Sequence, residues 1–277
     1  MKIKTMRAIT CTVIFPVIII AAFSFFSVRL TGEEKTLSAE EIVDRSFRNS
    51  RLAGSEAILT LTLLNNRGQE RKRKIAMVTK FYDNGQTEKK LLRFLSPADV
   101  KGTGFLTYDY EKKDDDMWLF MPALRKTRRI VSNEKSKSFM GSEFSYADLA
   151  PPTLSDFNYQ TVGVEKIGEV TCWIIEIVAK NDKIADENGF SKKISYIGQQ
   201  DFVTRKGVYY DTGGKLEKEI TVKDIQEVDV KNHKYKALHM VMENKQNGRK
   251  SIIKIEKIIF NPDVKDEYFT TRYLERF

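Results

Sequence analysis

Cysteine and histidine are nearly absent: the chain has two of each in 277 residues. Cys11 falls inside an N-terminal apolar run. Cys172 stands in a strand-like segment that continues through Trp173-Ile174-Ile175. A body with one thiol holds no disulfide of its own, and Cys172 reads as a small buried apolar side chain. His233 and His239 lie six apart with no cysteine or carboxylate at ligand spacing, so no metal site is expected. The sequence also lacks a Gly-x-Ser-x-Gly elbow, a phosphate-cradling glycine loop and a His-Glu-x-x-His helix. No catalytic residue and no cofactor is therefore nominated. Asp114-Asp115-Asp116 is the sharpest acidic cluster. It has the chemistry to chelate a divalent cation, but its place before an apolar run reads as a solvated turn that blunts edge pairing.

Hydrophobic residues make up 41% and charged residues 31%, which excludes long disorder. The formal net charge of +9 points to an acidic surface such as an anionic membrane. Nucleic acid is not expected, because the basic residues are dispersed apart from Arg71-Lys72-Arg73-Lys74 and Arg125-Lys126-Thr127-Arg128-Arg129. Lys2, Lys4 and Arg7 precede an apolar stretch from Ala8 to Val28. That pattern predicts an export signal or an N-terminal membrane anchor over residues 1–30 and places the body, residues 31–277, in the periplasm. No clean small-x-small cleavage site follows, so a tethered form and a released form both fit. The body is then about 245 residues, within reach of one large β domain.

Leu37 to Phe47 predicts a short capped helix, a lid candidate alongside the later Ser132–Ser155 segment, with Ser38 as N-cap and Glu41 three residues on. From Ala57 the pattern changes to period two. Strands are expected at 57–64, 71–81, 88–95, 105–110 and 116–121, and again at 159–166, 171–179, 194–197, 202–210, 216–228, 235–244 and 250–260. Asn65-Asn66-Arg67-Gly68, Asp83-Asn84-Gly85 and Gln246-Asn247-Gly248 are hairpin signals. Between the two groups, Ser132 to Ser155 is polar and carries Gly141 and Pro151-Pro152; it predicts a long excursion with short helical pieces. Many strands joined by short turns, with marginal helices, indicate a mainly β domain built on one antiparallel sheet.

Several strands carry bulk on both faces. Trp118 and Phe120 alternate with Met117, Leu119 and Met121; Phe105 alternates with Leu106. Two apolar faces imply either a lined hollow or a closed barrel filled by its own side chains, and the pattern does not choose between them.

The segment Asp116-Met117-Trp118-Leu119-Phe120-Met121-Pro122-Ala123-Leu124, then Arg128-Arg129-Ile130 and Ser138-Phe139-Met140-Gly141-Ser142-Glu143-Phe144-Ser145-Tyr146-Ala147-Asp148-Leu149, resembles the outer membrane lipoprotein-sorting family, LolA-like proteins often linked to RND-type exporters. Ser96–Leu106, Tyr209–Leu216 and Phe269–Arg276 resemble other segments of that family, so the likeness spans nearly the whole body. Glu143 stands where the shorter Asp is expected. The resemblance implies a strongly curved sheet forming a half-open β-barrel with a few helices as plug or lid. It also implies an interior that accepts acyl chains, and no catalysis. Lipoprotein acyl chains or a lipid are the implied partners, with an RND-type inner-membrane transporter and the membrane surface as further candidates.

A carrier needs a lined cavity under a movable cover. Trp118, Phe120, Phe105 and Leu106 are the candidate lining. Phe139, Met140, Phe144 and Tyr146 are the candidate underside of the lid. Arg128 and Arg129 are the candidates to latch it through Glu143 or Asp148, with solvated side chains as the other reading. Two other functions compete: an envelope adaptor that docks an RND-type transporter around a merely structural interior, and an envelope hydrolase that uses scattered carboxylates.

Overall fold

The computed structural model describes residues 37–111 and 113–276. The expected export or anchor segment lies outside the described residues.

The chain opens with α1 (Ala39–Ser50), whose start is fixed by a capping box. Ser38 N–H donates to Glu41 Oε2 at 2.8 Å and Glu41 N–H to Ser38 Oγ at 3.2 Å. Ile42 and Val43 form its buried stripe. There follow β1 (Gly54–Leu64), β2 (Glu70–Tyr82), β3 (Thr87–Ser96), β4 (Gly104–Tyr110), β5 (Asp116–Met121) and β6 (Lys126–Ile130). Residues 131–156 form an excursion of short 3-10 turns. Then come β7 (Phe157–Ile167), β8 (Val170–Ala179), α2 (Asp182–Asn188), β9 (Lys192–Gly198), β10 (Thr204–Tyr210), β11 (Leu216–Asp229), β12 (Lys234–Asn244) and β13 (Lys250–Phe260), with α3 (Thr271–Leu274) in the C-terminal tail.

All thirteen strands lie in one antiparallel sheet, ordered β6-β5-β4-β3-β2-β1-β13-β12-β11-β10-β9-β8-β7. Each strand pairs with its sequence neighbour except at the centre, where β1 meets β13. The two edges, β6 and β7, are therefore consecutive in sequence and joined only by the excursion. They share no ladder among the described residues, so the barrel stays half-open rather than closing on itself.

The sequence does not announce β6 or α2. Lys126-Thr127-Arg128-Arg129-Ile130 has only one apolar residue, because an edge strand with one neighbour needs little apolar bulk and its charges deter further pairing. α2 is short and mostly polar, capped by the Asn181 side chain accepting from Ile184 N–H at 3.0 Å and ended by Gly189 with φ of 77°.

Two apolar clusters lie on opposite faces of the sheet. The larger fills the concave side and joins α1, the excursion and the inward residues of most strands. The smaller, on the convex side of β3–β5, gathers Leu91, Leu106 and Phe120 beneath Val264, Phe269 and Leu274 of the tail. The tail is held there by Arg93, whose guanidinium donates to the carbonyls of Leu274 at 2.7 Å, Tyr273 at 2.9 Å and Gly102 at 3.0 Å. Gly104 is required beneath it, since a Cβ there would stand 2.5 Å from Leu274 Cδ1.

Candidate functional site: a plugged hollow with a charged floor

The excursion turns into the concave side. Its tip, Ser138 to Ser145, closes on itself: Phe139 N–H donates to Phe144 O at 2.7 Å, and Ser142 Oγ–H to Phe139 O at 2.8 Å. Met140 and Gly141 take positive φ of 52° and 78° to make the bend, which explains a glycine there. The tip presents Phe139 toward Phe94 and Phe105, with ring centroids 6.0 and 5.3 Å away, and Tyr146 lies 5.4 Å from Phe105. These tilted contacts form the aromatic centre of the plug.

Of the four residues expected to line the hollow, Phe105 alone faces it. Leu106 and Phe120 belong to the convex cluster, and Trp118 packs beside them against Tyr108, with centroids 5.0 Å apart. The alternation is as expected, but the tail supplies a second apolar cover, so bulk on a strand face does not mark the inside. Phe139, Phe144 and Tyr146 are buried on the concave side, and Met140 packs against them.

Arg128 and Arg129 do not pair with Glu143 or Asp148, which meet other cations. Arg128 pairs with Glu134 at 2.9 Å, and Arg129 pairs with Asp116. Glu143 instead meets Arg249 at 3.1 Å and accepts from Asn244 Nδ2 at 3.1 Å. Asp148 meets Lys218 at 2.9 Å. Further ties reach the excursion from Lys90, which donates to Leu149 O at 2.7 Å, and from Arg73, which donates to Met140 O. The plug is thus fastened to β2, β3, β11, β12 and the turn after β12, across the hollow from its own edge strand. Nothing local in sequence marks partners some sixty to a hundred residues away.

Among the described residues, two of the cavities have mainly apolar walls. One, about 210 Å³, has an almost wholly apolar wall that includes Leu59, Leu61, Ile75, Met240, Ile253 and Phe144. The other, about 140 Å³, lies beneath α1 and is lined by Val43, Phe47, Phe157, Ile177 and Phe190 together with Lys193. Asp148 and Tyr209 border both.

The concave face also carries buried charge. Burial disfavours the Asp148 carboxylate, but Lys218, the Ser145 amide and Lys193 outweigh it and hold its pKa below the usual range. Burial and the Asp148 charge raise the Tyr209 phenol well above its ordinary value. On β3 and β4, Glu88 stands opposite Asp109, and Lys90 Nζ lies 3.7 Å from Asp109 Oδ2. Burial pushes the Asp109 carboxyl up to about 7 against the pull of Lys90, and its Oδ1 has no hydrogen-bond partner. Glu88 and Asp109 line neither interior cavity.

Elsewhere the polar candidates are occupied. Asp115 pairs with Lys135 at 3.0 Å, and Asp116 accepts from Tyr110 Oη at 3.1 Å. His233 and His239 sit beside Glu227 and Asp224. Cys172 is buried, and burial raises its thiol pKa. Among the described residues, no group of three or more His, Cys, Asp or Glu side chains is placed to hold a metal ion, and no helix is long and apolar enough to cross a membrane.

A single curved antiparallel sheet around an internal plug, with apolar space between them, defines the half-open barrels of the lipoprotein-sorting type. A family model described as an uncharacterized protein matches residues 86–276. The chain belongs to that family, and its structural neighbours are outer membrane lipoprotein-sorting, LolA superfamily and DUF1329 proteins. Among solved structures, it is similar to a Vibrio parahaemolyticus domain named as an outer membrane lipoprotein-sorting protein (26% identity, TM-score 0.78, covering 86% of this chain and 98% of that one). It is similar to a DUF1329 family protein from Desulfovibrio piger (25% identity, TM-score 0.78, covering 85% and 97%). A LolA superfamily protein from Nitrosomonas europaea shares the fold at 17% identity (TM-score 0.66, covering 86% and 99%). No curated protein matches the sequence.

Proposed function

We propose that this protein is a non-enzymatic, periplasmic carrier that shelters acyl chains of lipoproteins or lipids between the concave sheet and the excursion, and moves them toward the outer membrane. The observation that carries the proposal is the apolar cavity of about 210 Å³ left between plug and wall. It exceeds the roughly 150 Å³ of an apolar protein cavity that stays dry and takes up benzene. It holds part of an acyl chain with the plug in place, and a whole chain requires the excursion to lift. Each methylene sheltered is worth about 0.8 kcal/mol. Met77, Met240 and Met242 around the cavity supply side chains that adapt to a flexible guest. The shifted Asp109 and its neighbour Glu88 meet protein rather than a cavity wall, which supports a structural role for them and not hydrolysis.

The test is binding of a fluorescent fatty acid to Met240→Trp, which fills the cavity, and to Trp118→Ala, which alters only the convex face. The expected result is lost binding in the first variant and unchanged binding in the second. Full binding by a folded Met240→Trp protein would remove the cavity from the proposal.

A further inference from the structure

Three residues stand in a row across the concave face. Lys193 on β9 is the register partner of Tyr209 on β10, and Tyr209 is the partner of Lys218 on β11. The Tyr209 ring has the Lys193 ammonium 4.6 Å from its centroid and the Lys218 ammonium at 5.1 Å. One carboxylate serves the two cations. Asp148 lies 2.9 Å from Lys218, and no carboxylate of the described residues comes within ion-pair distance of Lys193. The row is built for that lysine: a Cβ on Gly207 would stand 3.3 Å from Lys193 Cε and 2.9 Å from Ile220 Cγ2. Lys193 lines the smaller cavity, whose other walls are largely apolar. Burial and the neighbouring Lys218 lower the Lys193 pKa to about 8 despite Asp148. A half-buried cation short of one counter-charge is costly, and a methionine of similar length would fill the same space without that cost.

We infer that Lys193 seats the anionic headgroup of a lipid, a carboxylate or a phosphate monoester, in the cavity beneath α1, with the tail running past Tyr209, which borders both cavities, into the larger one. This rests on the carrier reading and narrows it. A triacylated lipoprotein anchor, whose chains are ester- and amide-linked, brings no such charge to its head, whereas a free fatty acid or a lipid phosphate does. With the anion in place, two cations face two negative charges and Lys193 gains a charge-assisted hydrogen bond.

The test is calorimetric titration of the whole protein with myristate, myristyl phosphate, methyl myristate and inorganic phosphate near neutral pH, repeated with Lys193→Met. Wild type is expected to bind the charged amphiphiles about tenfold tighter than the ester, the worth of one charge-assisted hydrogen bond. The tighter of the two names the source of the anion. Lys193→Met should keep the ester affinity and lose the preference. In the wild type, the preference should also fade as the lysine deprotonates above a pH of about 8, which tests the idea without any variant. Equal binding of acid and ester by wild type, a preference that survives Lys193→Met, or inorganic phosphate binding as tightly as the amphiphiles would overturn the headgroup assignment. Binding of none of the amphiphiles would overturn the carrier reading itself.

Discussion

Asp148, on the excursion, and Lys218, on β11, form an ion pair of 2.9 Å inside the hollow, with both side chains nearly excluded from solvent. Seventy residues separate them in sequence, and the contact ties the plug to the far wall. Asp148 also serves Lys193, so removing it strands two cations. Asp148→Leu is expected to destabilise the fold by about 3–5 kcal/mol, whereas the triple variant Asp148→Leu/Lys193→Met/Lys218→Met should recover most of the loss. Urea denaturation of the two variants checks this, and equal losses in both would show that the pair matters through something other than burial of an unpaired charge.

Phe139 carries the packing between plug and sheet. It is 3% exposed and touches Phe94, Phe105 and Tyr146. Phe139→Ala should cost about 3–5 kcal/mol, in the range for a buried phenylalanine. Hydrogen exchange should then show faster opening of residues 131–156 than of the sheet, because the excursion holds few ladder hydrogen bonds of its own.

The convex cover predicts a separate failure. Leu274→Asp places a charge against Leu106 and Phe120 and breaks the seat of the tail. The expected outcome is self-association, read by light scattering, as the uncovered apolar patch seeks another surface. Fatty-acid binding measured on the remaining monomer should stay unchanged, since the patch lies on the other face of the sheet.

Asp109 predicts a pH dependence of stability. Its folded pKa is raised from 3.8 to about 7, chiefly by burial. The folded protein therefore holds a proton that the unfolded chain releases, and stability from this group is full below 3.8 and is lost as pH climbs toward 7. Asp109→Asn should flatten the denaturation midpoint across that window. An unchanged slope would show that Asp109 ionises freely in the fold.

Much of the sheet is legible in the sequence because its turns carry strong chemistry. Asn65-Asn66-Arg67-Gly68 and Gln246-Asn247-Gly248 delimit hairpins whose strands lie within a few residues of their expected bounds. The faces are harder. Trp118 and Phe105 look alike in a period-two pattern, and only the position of the tail tells which is inside. Lys193 is hidden for a related reason. In Lys192-Lys193 two lysines stand side by side on a strand, and both read as solvated. Alternation sends one of them inward, but Gly207, whose missing side chain leaves room for it, lies on the next strand.

The consecutive edges β6 and β7 give the hollow one seam. Among the described residues no backbone hydrogen bond crosses it, and the chain that bridges it is also the stopper. Drawing the edges apart leaves every ladder of the sheet intact and asks only for side-chain contacts to be exchanged. For the proposed carrier this means that the bore of the vessel follows the girth of its contents, so that a single scaffold serves one chain or several.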